Sequence, residues 1–181
     1  MEMYQRIIES INLLTQNSME IQDKLSETMD NPDSRSPLGY AKEYCTVKVC
    51  TARRSGHTTA INYFILNKAA KLNQKWAIIY PNQHILETNK KNISEYLKSL
   101  NGNIKTTYKP NEFNNYRIVF KNGGEIPFIT INSLDKLRGT MLDGIIVDCS
   151  SLLSENKIDM LYDHGINCMK KNKYKFFIFV E

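Results

Sequence analysis

The stretch Val47-Lys-Val-Cys-Thr-Ala-Arg-Arg-Ser-Gly-His-Thr-Thr-Ala60 decides how this chain is read. Its β-branched start predicts a strand over Thr46 to Cys50, a turn of small and basic residues follows, and from Thr58 to Leu72 the apolar spacing is helical. A helix that begins straight after such a turn presents unpaired amides and a partial positive charge. A loop of little side-chain bulk lets those amides close around phosphate oxygens. On this reading Ala52, Arg53, Arg54, Ser55, Gly56, His57, Thr58 and Thr59 form a phosphate-binding loop. Gly56 permits close backbone approach, Arg53 or Arg54 adds charge, and the Thr58 hydroxyl is set on a magnesium ion. Against the pattern G-x-x-x-x-G-K-[ST] the loop keeps Gly56 and Thr58 but has Thr51 for the first glycine and His57 for the lysine. Histidine is shorter than lysine and mostly neutral at pH 7 unless a neighbour raises its pKa. The same residues also read as a polar strand-to-helix turn in which Thr58 or Thr59 only caps the helix.

The order of elements along the chain favours phosphate. A second strand, Trp76 to Tyr80, follows the loop helix, and Gly144-Ile-Ile-Val-Asp148 comes about 90 residues after the loop. An aspartate at the tip of a buried parallel strand can hold magnesium through water, which makes Thr58 and Asp148 the candidate metal ligands. A strand that merely ends in a polar residue is the plainer alternative. Further strands are predicted over Arg117 to Phe120, Pro127 to Ile131 and Lys175 to Val180, and further helices over about Gln83 to Leu100 and Glu155 to Lys170. The first two of these strands, joined through Asn122-Gly123-Gly124, form an inserted hairpin. Strands alternating with helices predict an α/β class: three layers around a mainly parallel central sheet.

Upstream, Ile7, Ile8, Ile11, Leu14, Ile21 and Leu25 fall at mainly helical spacing, so residues 1–30 are expected to be helical. Turn formers from Asn31 to Gly39 predict a linker over 31–43, ahead of a domain over 44–181. The 181 residues suit one core, and 41% hydrophobic with 24% charged residues argues against wholesale disorder. A net charge of +5 and a pI near 8.9 favour a polyanion without amounting to a dedicated nucleic-acid-binding composition. Cys45, Cys50, Cys149 and Cys168 form no CxxC pair and have no histidine at metal-ligand spacing, so sequence spacing argues against zinc. They read as reduced cysteines of a cytoplasmic protein. No apolar run approaches the roughly 18 residues of a membrane span, and no signal peptide or membrane association is expected.

With both motifs in view, the stretch from about Tyr44 to Val180 resembles the P-loop (RecA-like, ASCE) ATPase core of viral terminase large subunits. The loop Ala52 to Thr59 looks like that family's arginine-containing Walker A variant. The segment Asn132 to Gly144, which contains Arg138-Gly139, resembles its Arg-Gly element ahead of the Walker B strand, and Phe176 to Val180 its coupling strand. The resemblance implies ATP and Mg2+ as cofactors, Asp148 and Arg54 in catalysis, Arg138 as a sensor or coupling residue near the nucleotide, and double-stranded DNA as the polymer acted on. The family's water-orienting glutamate would follow Asp148, where this chain has Cys149. Glu155 is then the nearest candidate base, with Glu125 the other, and slow turnover or none is expected.

Three functions follow: a terminase-like viral ATPase working with nucleic acid; a degenerate P-loop domain that binds a protein partner as a regulator or inhibitor of host machinery; and a nucleic-acid module using Tyr108, Phe113, Tyr116 and Arg117 among Lys105, Lys109 and Lys121.

Overall fold

The computed structural model describes residues 3–28, 36–52, 55–99, 104–106 and 117–181. In chain order the elements are α1 (Met3–Thr28), α2 (Pro37–Tyr44), β1 (Thr46–Val49), α3 (His57–Leu72), β2 (Trp76–Tyr80), α4 (Gln83–Ser99), β3 (Ile104–Thr106), β4 (Arg117–Phe120), β5 (Glu125–Thr130), β6 (Gly144–Asp148), α5 (Glu155–Cys168) and β7 (Phe177–Val180). Short 3-10 segments occupy Ile131–Leu137 and Ser150–Leu152.

The seven strands are ordered β1-β7-β6-β2-β5-β4-β3, and every pair from β1 through β5 is parallel. Parallel strands covered by helices on both faces bury every residue, which is why β2, β6 and β7 are apolar throughout except for Asp148. Alternate residues serve opposite faces. Trp76, Ile78, Tyr80, Ile146, Ile178 and Val180 join the core with α1, α3 and α4. Ala77, Ile79, Ile145, Val147, Phe177 and Phe179 join the other core with α2 and α5. The three-layer α/β arrangement expected from the sequence is therefore the one adopted.

Three features differ from the sequence reading. The stretch expected as a linker contains α2, because Ser36 accepts a hydrogen bond from the Gly39 amide at 3.0 Å and Pro37 opens the helix with a ring that needs no amide partner. Residues 29–35 lie outside the described residues. Helix α1 packs into the main core through Ile7 and Ile11, and Gln22 binds both backbone groups of Lys175, at 3.0 and 3.1 Å, so that β7 starts two residues later than expected. The expected hairpin forms, with Ile118 opposite Ile126, but β5 also pairs in parallel with β2, so the hairpin extends the central sheet. The four cysteines are unlinked, and no helix among the described residues is long and apolar enough to cross a membrane.

Candidate functional site at the carboxyl edge of the sheet

Strand parity locates the site. Asp148, Val180 and Val49 stand in register at the carboxyl ends of β6, β7 and β1. With the parity of Ile146, Asp148 lies on the α3 side of the sheet. β7 separates β1 from β6, and the first turn of α3 bridges that gap: the Thr58 hydroxyl donates to Asp148 Oδ2 at 3.0 Å. Crevices at the carboxyl ends of parallel strands are where ligands bind in open α/β sheets.

Asp148 is fully buried, which an isolated carboxylate could not sustain. Its oxygens divide their partners. Oδ2 accepts from Thr58 and from Asn89 Nδ2, at 3.2 Å, while Oδ1 lies 3.2 Å from His57 Nε2 and 3.5 Å from Cys149 Sγ. Cys149 Sγ is also 3.6 Å from His57 Nε2. The hydrogen bond to Asp148, and then that to Cys149, raise the His57 pKa from 6.5 to about 10 against the opposing effect of burial. His57 is therefore an imidazolium at neutral pH, and the position held by lysine in the usual loop carries positive charge here after all.

The loop itself is shaped for close approach. Gly56 has a left-handed φ of +82° and occupies the N-cap of α3 with no side-chain cap. Thr58 and Thr59 thus do not cap the helix, and the Thr58 hydroxyl is committed to Asp148. The Ser55 amide closes a turn onto Ala52 O at 3.0 Å, and the Ser55 hydroxyl is buried without a partner among the described residues. Thr51 anchors the loop entrance by donating to the Glu181 carbonyl at 2.8 Å. Arg53 and Arg54 lie outside the described residues. An uncapped helix start, an orphaned hydroxyl, an imidazolium and a hydroxyl–carboxylate pair together suit phosphate oxygens and a divalent cation, so the residues present fit a magnesium nucleotide.

The remaining candidates are not brought here. Arg138 pairs with Asp135 at 3.0 Å, is largely exposed, and lines a 510 Å³ cavity with Met141, His164 and Lys170. Glu155 is exposed at the start of α5, beside a separate 550 Å³ cavity lined also by Lys42, Lys48 and Ser151. Glu125 opens β5, at the end of the sheet opposite Asp148, where it pairs with Arg117 at 2.6 Å. Of the aromatic and basic set proposed for base stacking, only Arg117 and Lys121 have described side chains. Two residues that the sequence reading missed do belong to the site. Asn89 is the polar member of the buried stripe Leu86, Asn89, Ile93 on α4, a signal visible in the sequence. Tyr80 ends β2 with its hydroxyl buried and unpartnered among the described residues; burial first, then the charges at Asp148 and Cys149, push its pKa well above the ordinary value.

Together the sheet order, the loop between β1 and α3, and the buried acid at the end of β6 define a P-loop ATPase-like α/β domain. No protein-family model and no curated protein sequence matches the chain. Among solved structures it is similar to the large terminase of a thermophilic bacteriophage in complex with ADP (TM-score 0.54, 15% identity, 80% of this chain and 36% of that one). A second crystal form of that phage's terminase gives a TM-score of 0.55 at 18% identity, over 80% and 37% of the two chains. The large terminase ATPase domain of Thermus phage P74-26 gives 0.52 at 15% identity, over 80% and 63%. The fold is that of phage large terminase ATPase domains, and the chain spans little more than a third of the length of the ADP-bound terminase.

Proposed function

We propose that this chain binds ATP with magnesium through residues 52–59 and Asp148, turns it over slowly or not at all, and works with double-stranded DNA as a viral terminase-like protein. The observation that carries the reading is the 3.0 Å bond from Thr58 to Asp148, which joins the helix after the loop to the acid two strands away. The α3 amides and the His57 imidazolium would hold phosphate oxygens, Thr58 and Asp148 would hold the metal, and Asn89 keeps the Asp148 carboxylate oriented. Magnesium, when bound, neutralises phosphate charge. Slow turnover is supported by Cys149 in the position after Asp148: a thiol is a poor stand-in for the carboxylate that orients an attacking water. The ADP-bound state of the thermophilic phage's terminase and the chain's net charge of +5 support the nucleotide and the polyanion respectively.

Calorimetric titration with ATP, with and without magnesium, tests the site. Magnesium-dependent binding that weakens at least about tenfold, roughly 1.4 kcal/mol, in Thr58→Ala and Asp148→Asn is expected; binding unchanged in both would overturn the assignment. Phosphate release with and without double-stranded DNA then tests turnover.

The second reading, a degenerate domain that regulates a protein partner, is favoured by one observation. Glu155 is exposed beside a separate cavity, Glu125 pairs with Arg117, and among the described residues no carboxylate other than Asp148 bonds His57 or Thr58. Absence of both ATP binding and phosphate release would select it.

A further inference from the structure

Three donors of different chemistry converge beside the phosphate loop: His57 Nε2, Asp148 Oδ1 and Cys149 Sγ, all within 4.8 Å of one another. We propose that they form a binding site for a borderline-soft transition ion, Zn2+ by preference, with three protein ligands and one open position; the ion replaces the proton that His57 Nε2 shares with Asp148 and the Cys149 thiol proton, both released to solvent, so that His57 binds as neutral imidazole and Cys149 as thiolate. The site goes beyond the magnesium–nucleotide reading and does not depend on it.

The separations carry the argument. Zinc bonds of about 2.0–2.1 Å to imidazole nitrogen, about 2.0–2.2 Å to carboxylate oxygen and about 2.3 Å to thiolate sulfur, opened to the tetrahedral angle, set these donors about 3.3–3.6 Å apart. The observed edges are 3.2 Å from nitrogen to oxygen, 3.5 Å from oxygen to sulfur and 3.6 Å from nitrogen to sulfur. The three atoms already outline one face of a zinc-sized tetrahedron.

The surroundings match as well. A ligating carboxylate is normally steadied through its other oxygen, and Oδ2 of Asp148 accepts from Thr58 and Asn89, leaving Oδ1 for the ion. Cys149 has a left-handed φ of +56°, which turns its side chain out of strand alternation toward His57. Nitrogen and sulfur donors also discriminate by type, because Mg2+ demands near-octahedral oxygen coordination whereas imidazole and thiolate suit zinc. Sequence spacing argued against zinc because it counts only neighbouring residues. Here His57 and Cys149 stand 92 positions apart and meet only in the fold.

The test is cobalt titration of nucleotide-free protein carrying Cys50→Ser, which removes the exposed thiol that lies 3.2 Å from Glu181; Cys45 and Cys168 are buried. One equivalent should bind with the intense visible bands of tetrahedral cobalt and a near-ultraviolet thiolate-to-cobalt charge-transfer band, both erased by zinc and untouched by excess magnesium. Cys149→Ser should abolish the charge-transfer band, and Asn89→Ala should weaken zinc binding by about 10–100-fold, the usual cost of losing a group that orients a ligand. Weak octahedral bands only, or a charge-transfer band that survives Cys149→Ser, would overturn the proposal. As a check independent of that variant's folding, zinc but not magnesium should raise the thermal midpoint of the Cys50→Ser chain; equal effects, or none, would also overturn it. Because no nucleotide is present, failure here is distinct from failure of ATP binding.

Discussion

Raising the pH in the presence of a chelator should remove a defined part of this protein's stability, and Asp148→Asn should take away the larger share of that part. In the folded chain His57 titrates at about 10, whereas an unfolded histidine titrates near 6.5. Below the unfolded value both states hold the proton and the stabilisation from the pair with Asp148 is fully present. Between 6.5 and about 10 only the folded state holds it, so stability falls as pH rises and the contribution is gone above about 10. Fully expressed, that interval corresponds to about 5 kcal/mol. The His57 side chain keeps 22% of its exposure, and water screens the pair, which brings the expected change to about 2 kcal/mol. With a urea m-value of about 2 kcal/mol/M, the unfolding midpoint should drop by about 1 M between pH 6.5 and 10. In Asp148→Asn the curve should keep the slope of the lysines, tyrosines and thiols and the smaller His57 contribution that Cys149 sustains. Equal slopes in the two proteins would refute the His57–Asp148 pairing.

Other perturbations address the scaffold and the site's borders. Gly144→Ala would drive a Cβ into the Trp76 ring, and it should cost about 1–3 kcal/mol by thermal unfolding because overpacking a buried strand forces its neighbours off their rotamers. Ile11→Ala, at a fully buried position of α1, should cost about 2–5 kcal/mol in urea unfolding; a near-neutral result would show that α1 is not part of the core. Asn89→Leu leaves the buried Asp148 one hydrogen bond short and should cost about 1–3 kcal/mol while weakening magnesium–ATP binding, read by denaturation and calorimetry. Arg138→Ala, at a largely exposed side chain whose ion pair among the described residues is with Asp135 three positions earlier, should change stability by less than about 0.5 kcal/mol and leave ATP affinity of the isolated chain unchanged. A loss of affinity there would show that Arg138 reaches the nucleotide.

The sequence alone determined the elements that carry their own local signal. The apolar runs Trp76 to Tyr80 and Gly144 to Asp148, the small-residue turn before Thr58, and the Asn122-Gly123-Gly124 hairpin each specify backbone geometry within a few residues, and the sheet class follows from their alternation. Helix α2 escaped because its turn-forming residues also supply the cap and first turn of a helix, and composition does not separate the two uses. What only the tertiary structure decided is which distant groups share the site. The placement of β7 between β1 and β6 sets how far Asp148 stands from the loop, and strand parity sends its side chain toward α3. The same packing leaves Glu155 exposed at the start of α5, pairs Glu125 with Arg117, brings Asn89 onto Asp148 and Tyr80 near it, and turns the ordinary histidine of the loop into a cation. Hydrogen bonding and charge interaction act over a few ångströms of space irrespective of chain separation, so a meeting of positions 57 and 148 leaves no trace in any local stretch of residues.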